Sequence, residues 1–597
     1  MGLLGLLIPG KYNGYNFNYR MYALMIKYLA SRLPSLAVSM GIYQSPCINA
    51  LLKYGTETQK TSYLPKLSTG KYISGYALYE DDSPDNFSKL SSIEKTIANP
   101  STSAIGDFEN KHYVLKGEKS VINAADTNLF FVFARTSGGL SCFIIEKSMG
   151  VELIEKDNNQ EERLINYSKI LLDDIRVPAY NRLGKEGQGI DIALDILNLS
   201  RIQTGILCTE LSKHILKKAV LSKPVNDYEE HYQMYKHNTV KISGSVFLME
   251  SLLNAVCGII DRKLDYSMEA CAFKLYSTKA LELNMKYFGQ IENTFEKPLY
   301  NKIISEILSD RIAMGDNNRL SKYISYEGLK CKQKEKEEFD KDFKSTNNLI
   351  NEGFKKFGEI AEKSFSTIVN GFKVFTGQEK EARKTQKVIT DFSKLKKDIE
   401  QLGSIMGKNT KKLLDISLQS LKNFKEETFE LLPNDLVGMT TLNSVSDEIE
   451  ESRDIVNISI NILRQKCILL IKEYGKAEQV SENIKEMLTE IVLYLFALSC
   501  AISKTDNITA NPEVNDTDLI RPVTEEITSF SSEEKKEMKN YYITLINYFS
   551  IELVRLIKEK LESELPNMEE YEDNDEINEI IEDIYKTTKK IFKVNNA

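Results

Sequence analysis

The sequence predicts an α+β fold that is mostly α: a helical domain, a small β domain, a four-helix bundle and a long helical extension. Three observations predict it. Near the start, Tyr22, Leu24, Met25, Tyr28 and Leu29 recur at helical spacing. Between about 73 and 182, short β-rich runs separated by Gly, Asn, Asp and Ser replace that spacing. From 183 onward, long helical periodicity returns.

Residues 1–72 form the first helical domain. Thr56 followed by Glu57 and Thr58 reads as a helix start, and Pro65 as its end. Residues 73–182 form the β domain. Its strands are signalled by Tyr113–Leu115, Leu129–Ala134, Cys142–Ile145 and Ile170–Leu172, which suggest a small antiparallel barrel or sandwich. Pro178 ends the last strand, because it has no N–H to offer a ladder. Residues 183–330 form the bundle, with helices centred on Ile192–Leu199, Ile215–Leu221, Val240–Ile260 and Met268–Tyr287. Residues 331–350 are rich in Lys, Glu and Asp and read as an exposed charged linker or a solvated helix. Residues 351–597 form the helical extension. In it Phe354, Phe357, Ile360, Phe365, Ile368, Phe372 and Phe375 make an apolar stripe flanked by lysines. Such a stripe suits a membrane surface or a packed helix face.

Bulk properties narrow the function. The chain has 597 residues, 42% of them hydrophobic, and a net charge of −8. Nucleic acid is excluded as the main partner, since phosphate binding needs a concentrated basic face. The eight cysteines form no CxxC pair and the four histidines form no HExxH, so no metal site is expected. The N-terminal apolar run has no preceding positive charge and reads as no signal peptide or presequence. The longest apolar run, Ile491–Ile502, is too short to span a bilayer and reads as a buried helix.

Motifs in the same order resemble those of the acyl-CoA dehydrogenase family. Ile8-Pro9 with Gly14, and Gln59–Gly70 containing Tyr63-Leu64-Pro65-Lys66-Leu67, resemble its first domain. Tyr76–Ser88 stands where the family has a flavin loop. The most specific match is Ile175-Arg176-Val177-Pro178, then Leu183-Gly184, Gly187-Gln188-Gly189 and Ile196-Leu197-Asn198 through Arg201. By this resemblance, the family's first helices and targeting segment are expected to be absent upstream of Met1. Leu469–Lys504, with Tyr474-Gly475-Lys476, resembles the extension of the very-long-chain members and their complex I assembly relative.

The resemblance implies the acyl-CoA dehydrogenase fold, FAD, a fatty acyl-CoA substrate, a homodimer and a mitochondrial location. For this subgroup it also implies complex I assembly proteins and peripheral inner-membrane contact. It implies cofactor contacts at Glu80, Ser83 and Asp85, at Ile122 and Asn123, and at Arg201, Gly315 and Asn317. Several positions depart from the family. Tyr79 replaces a threonine, Asp81 a proline, and Val121-Ile122-Asn123 the family's Trp-Ile-Ser. Asn226–Glu230 replaces a segment whose arginine meets pyrophosphate, so acids stand where a cation paired phosphate. Gly289–Glu292 replaces a glycine-rich turn.

The catalytic base departs furthest. The family oxidises an acyl-CoA thioester to the trans-2-enoyl form, and a carboxylate must remove the weakly acidic α proton. Arg311-Ile312-Ala313-Met314-Gly315 occupies the base segment, so Met314 stands at the usual glutamate. Ser200 stands at the alternative base position. A thioether accepts no proton, and Asp316, two residues from Met314, lies on another helix face. The sequence therefore reads as a dehydrogenase scaffold without its base, acting in complex I assembly. Two other functions compete with it. One is an active long-chain or very-long-chain dehydrogenase of fatty acid β-oxidation with a displaced base; the other is a CoA-thioester binding protein without redox chemistry.

Overall fold

The computed structural model describes residues 2–80, 101–107, 111–122, 125–154, 167–222, 229–291, 304, 317–333, 446–510 and 532–562. The chain gathers into two compact units. One comprises Met1–Ala219, Leu252–Ile324 and Ile520–Glu526; the other comprises Val220–Ser251, Ser325–Leu519 and Ile527–Ala597. The Phe354–Phe375 stripe and most of the charged linker lie outside the described residues.

The first unit opens with α1 (Tyr19–Arg32), α2 (Pro34–Val38), a π-helical turn (Ser39–Gln44), α3 (Ser45–Tyr54) and α4 (Glu57–Ser68). Asn18 caps α1 by accepting the Met21 N–H at 2.8 Å. Thr56 and Gln59 form a reciprocal capping box on α4, as the sequence predicts. Pro65 does not end α4, which runs on to Ser68. Leu64 and Leu67, both at 0% exposure, bury the last turn and hold it helical beyond the proline.

Eight strands follow in one sheet: β1 (Ser74–Ala77), β2 (Ser103–Asp107), β3 (His112–Ile122), β4 (Leu129–Thr136), β5 (Gly139–Glu146), β6 (Glu152–Ile154), β7 (Tyr167–Pro178) and β8 (Arg182–Leu183). The order is β6-β7-β3-β2-β4-β5-β8, with β1 also paired to β4. The sheet is not purely antiparallel, because β1 and β2 both run parallel to β4. Strands β4 and β5 are buried along nearly their whole length. That explains their unbroken apolar runs, since a strand covered on both faces has no polar side. Phe130, Val132, Phe143 and Ile145 point into one core with Val121, Leu172 and Val177. Each such side chain contributes about 1.5–3 kcal/mol. Strand β7 ends at Pro178, as the sequence predicts.

Helices α5 (Gly189–Leu221), α6 (Glu229–Asp261), α7 (Ser267–Ile291) and α8 (Asn317–Gln333) come next. The two helices expected at Ile192–Leu199 and Ile215–Leu221 are one 33-residue helix, α5. Its middle is polar yet buried: Ser200, Gln203, Thr204, Thr209, Glu210, Ser212 and Lys213 are each no more than 1% exposed. Polar residues there interrupt the apolar period that sequence reading relies on. In the first unit, Asp261 at the end of α6 accepts the Tyr19 N–H at 2.6 Å and the Arg20 N–H at 3.2 Å. A carboxylate at a helix N-terminus is favoured by the free N–H groups and the dipole there.

The second unit contains α9 (Glu450–Tyr474), α10 (Glu482–Ala510) and α11 (Ser532–Glu562). In this unit Tyr542 stacks on Phe247 with centroids 4.7 Å apart, and Ser452 donates to Asn547 at 2.9 Å. The run Ile491–Ile502 lies inside α10. Helices Gln233–Asp261 and Glu482–Ile508 are long and apolar enough to cross a membrane by length and composition; the first is mostly buried, the second half-buried.

Candidate functional site

Strand β1 ends where the resemblance places a flavin loop. Beyond it Tyr79 bridges to Ser120 of β3, whose N–H donates to the Tyr79 carbonyl at 2.9 Å. The next residue, Glu80, is a hub. Its carboxylate accepts the Ser101 N–H at 2.7 Å and the Thr102 N–H at 2.9 Å. It also accepts the Lys119 ammonium at 2.8 Å. The Lys119 side chain is 0% exposed, and its Nζ donates as well to the Leu78 carbonyl at 3.2 Å. Burial alone would raise the Glu80 carboxyl, but the Lys119 charge and the hydrogen bonds outweigh burial and hold it at about 2.

Tyr79 follows a different course. Packing by surrounding protein raises its phenol, and the charges of Arg201 and Arg319 oppose that rise. Val121 lies 1% exposed in the β-domain core, where the family's tryptophan would stand. Ile122 closes β3 opposite Tyr167.

Arg201 on α5 is 2% exposed. Its Nη1 donates to Asn198 Oδ1 at 2.6 Å and to Cys271 Sγ of α7 at 3.3 Å. Burial raises the Cys271 thiol, opposed by the charges of Arg201 and Lys274. Ser200, at 0% exposure, donates its hydroxyl to the Ile196 carbonyl at 2.9 Å. Asn317, the first residue of α8, accepts the buried Lys274 ammonium at 2.8 Å and the Thr278 hydroxyl at 3.2 Å.

Of the residues singled out from sequence, the structure places Glu80 at the β1–β3 junction and Arg201 beside Asn198 and Cys271. Asn317 sits with Lys274. Ser83, Asp85, Asn123, Met314 and Gly315 lie outside the described residues, as do Asn226–Tyr228 and Glu292. Gly289, Gln290 and Ile291 form the last turn of α7. No group of His, Cys, Asp or Glu among the described residues could hold a metal ion. Sequence reading missed Lys119, Lys274 and Arg319. Lys119 had a signal: on β3 it shares the inward phase of Tyr113, Leu115 and Val121, where a lysine needs a buried partner.

Residues 1–71 match the family described as the N-terminal domain of acyl-CoA dehydrogenase. The very long-chain specific acyl-CoA dehydrogenase of Rattus norvegicus is 26% identical over 355 residues, spanning 56% of this chain and 53% of that protein. The crystal structure of the acyl-CoA dehydrogenase of Bacillus anthracis, complexed with FAD, aligns with a TM-score of 0.63 at 19% identity, covering 100% of this chain and 88% of that one. Together these matches support membership of the acyl-CoA dehydrogenase family. The mitochondrial isovaleryl-CoA dehydrogenase of Pongo abelii is 31% identical over 211 residues, covering 34% of this chain and 47% of that protein. The chain spans about half the length of these two curated relatives. The Bacillus anthracis alignment shows that the acyl-CoA dehydrogenase fold is the fold of this chain, which carries further helices at its C-terminal side.

Proposed function

We propose that this acyl-CoA dehydrogenase-family protein binds FAD and a fatty acyl-CoA and does not remove the α proton. The observation that carries this is Ser200. At the alternative base position, a fully buried hydroxyl bonds to its own helix where a carboxylate would be needed. Met314 at the usual position offers no base either.

FAD is supported by the FAD complex of the Bacillus anthracis structure. The residues here fit such a cofactor in part. The β1 end, shaped by Glu80, and the cations Arg201 and Arg319 around Tyr79 would hold an anionic, planar group. When bound, FAD would supply the hydride acceptor for β-hydrogen removal. Val121 contributes only its small share to the β core and offers no broad aromatic wall. The residues here therefore suit binding better than dehydrogenation.

A mitochondrial location is supported by the names of the matched relatives. Assembly with complex I proteins, a homodimer and contact with the inner membrane rest on the subgroup resemblance of Leu469–Lys504 and on the Phe354–Phe375 stripe. The test is optical. Purified protein should show flavin absorbance that palmitoyl-CoA perturbs without bleaching. Bleaching by palmitoyl-CoA would overturn the proposal. Pull-down of complex I assembly factors tests the partner reading, and its failure would remove that part alone.

A second reading, an active enzyme with a displaced base, is favoured by Glu269 on α7. Burial, with help from the Asp265 charge, raises its carboxyl above the usual carboxylate value. Its charge reaches the Cys271 thiol that Arg201 contacts. Bleaching that Glu269→Gln abolishes would establish that reading.

A further inference from the structure

We infer that Lys119 and Glu80 form a positioning pair that shapes the flavin-binding end of β1, an inference that rests on the FAD reading above. Three facts converge on it. First, the pair ties three strands' worth of chain together: Glu80 receives Ser101 and Thr102 N–H groups at the entry to β2 and Lys119 from β3. Second, Lys119 is wholly buried and also grips the Leu78 carbonyl, so the main chain on both sides of Tyr79 is held. Third, Gly117, at φ +144, lies so close to Thr102 that a Cβ would stand 2.6 Å from Thr102 Oγ1. Only glycine lets β2 and β3 approach closely enough for the carboxylate to reach both N–H groups.

The consequence is geometric. With Glu80 turned into the sheet, alternation along the extended chain sends Tyr79 the other way, within reach of the charges of Arg201 and Arg319. Three donors from the protein already occupy the carboxylate, so Glu80 acts through the main chain it fixes and not by touching the cofactor itself. A site whose supporting groups loosen loses affinity even when the groups that touch ligand are intact.

The experiment uses the full chain and FAD itself, measured by quenching of flavin fluorescence, with thermal melting of the same samples without FAD. Lys119→Met and Glu80→Gln should each weaken FAD binding about tenfold, roughly 1.4 kcal/mol. Each should also lower the melting temperature. The double variant removes the uncompensated buried charge and should recover most of the melting temperature, while FAD binding stays weak. Lys119→Arg, which keeps the charge, should recover part of the FAD affinity. If FAD affinity instead follows melting temperature through all variants, the pair is merely structural and the inference is overturned. If the unaltered chain binds FAD and the variants bind it equally well, the inference alone fails. If the unaltered chain binds no FAD, the cofactor reading fails and takes the inference with it.

Discussion

Replacing Asn317 by alanine tests what that residue does. By resemblance it belongs with the cofactor contacts, but in the structure it anchors a helix. Its side-chain oxygen accepts the ammonium of Lys274, which is 0% exposed, at 2.8 Å. It also accepts the Thr278 hydroxyl at 3.2 Å, although that hydroxyl reaches the Lys274 and Leu275 carbonyls of its own helix as well. Thr278 therefore loses little, and the loss falls on the buried ammonium. A hydrogen bond to a charged group contributes about 1.5–3 kcal/mol. At about 2–4 °C per kcal/mol, Asn317→Ala should lower the melting temperature by roughly 3–12 °C. The assay is scanning calorimetry on protein stripped of any flavin. Adding Lys274→Met to the Asn317 change removes both ends of the bond, so the two losses should be less than additive. A melting temperature unchanged by Asn317→Ala in stripped protein would refute the anchor, and a loss of FAD affinity alone would restore Asn317 to the cofactor.

Three other outcomes follow from the same reasoning. Glu80 is held at about 2 when folded, against about 4.3 for a free glutamate. Its contribution to stability is therefore complete above about pH 4.3 and is lost as pH falls toward about 2. In urea titrations across that window Glu80→Gln should flatten the pH dependence, and an unchanged slope would count against the pairing. Gly244→Ala should destabilise the second unit, because the new Cβ would stand 1.9 Å from the Phe549 ring. Overpacking of this kind costs about 1–3 kcal/mol, read as a lower urea midpoint, and a neutral result would argue against that packing. Ser200→Glu in flavin-loaded protein should let palmitoyl-CoA bleach the flavin, as restored base function requires. Absence of bleaching, with flavin still bound and the fold intact, would show that Ser200 does not face the α carbon.

Much of the fold was legible because it depends on local rules. Thr56 with Gln59 announced a capping box, and Pro178 announced the end of a strand. Other elements misled for equally local reasons. Pro65 signalled a helix end, yet α4 carries it, because Leu64 and Leu67 are both buried in the same turn. The polar middle of α5 hid one long helix behind two apparent ones, because burial of Ser200, Gln203, Thr204 and Glu210 is a tertiary fact. Strands β1 and β2 both pair in parallel with β4, and no turn signal reveals a partner so distant in sequence.

By itself, the sequence determined the order of helical and β segments, the family they resemble and the absence of a carboxylate at Ser200 and Met314, the positions that the resemblance assigns to the base. These depend on residue identity, since neither a thioether nor a neutral hydroxyl has the basicity of a carboxylate. Only the tertiary structure decided what the remaining charged residues do. Lys119 and Lys274 are ordinary lysines in the sequence, but folding strips both of water, so each must find an oxygen partner. That requirement joins Lys119 to Glu80 and Lys274 to Asn317. It gives Glu80 and Asn317, two residues that the resemblance assigns to the cofactor, buried lysine partners within the fold.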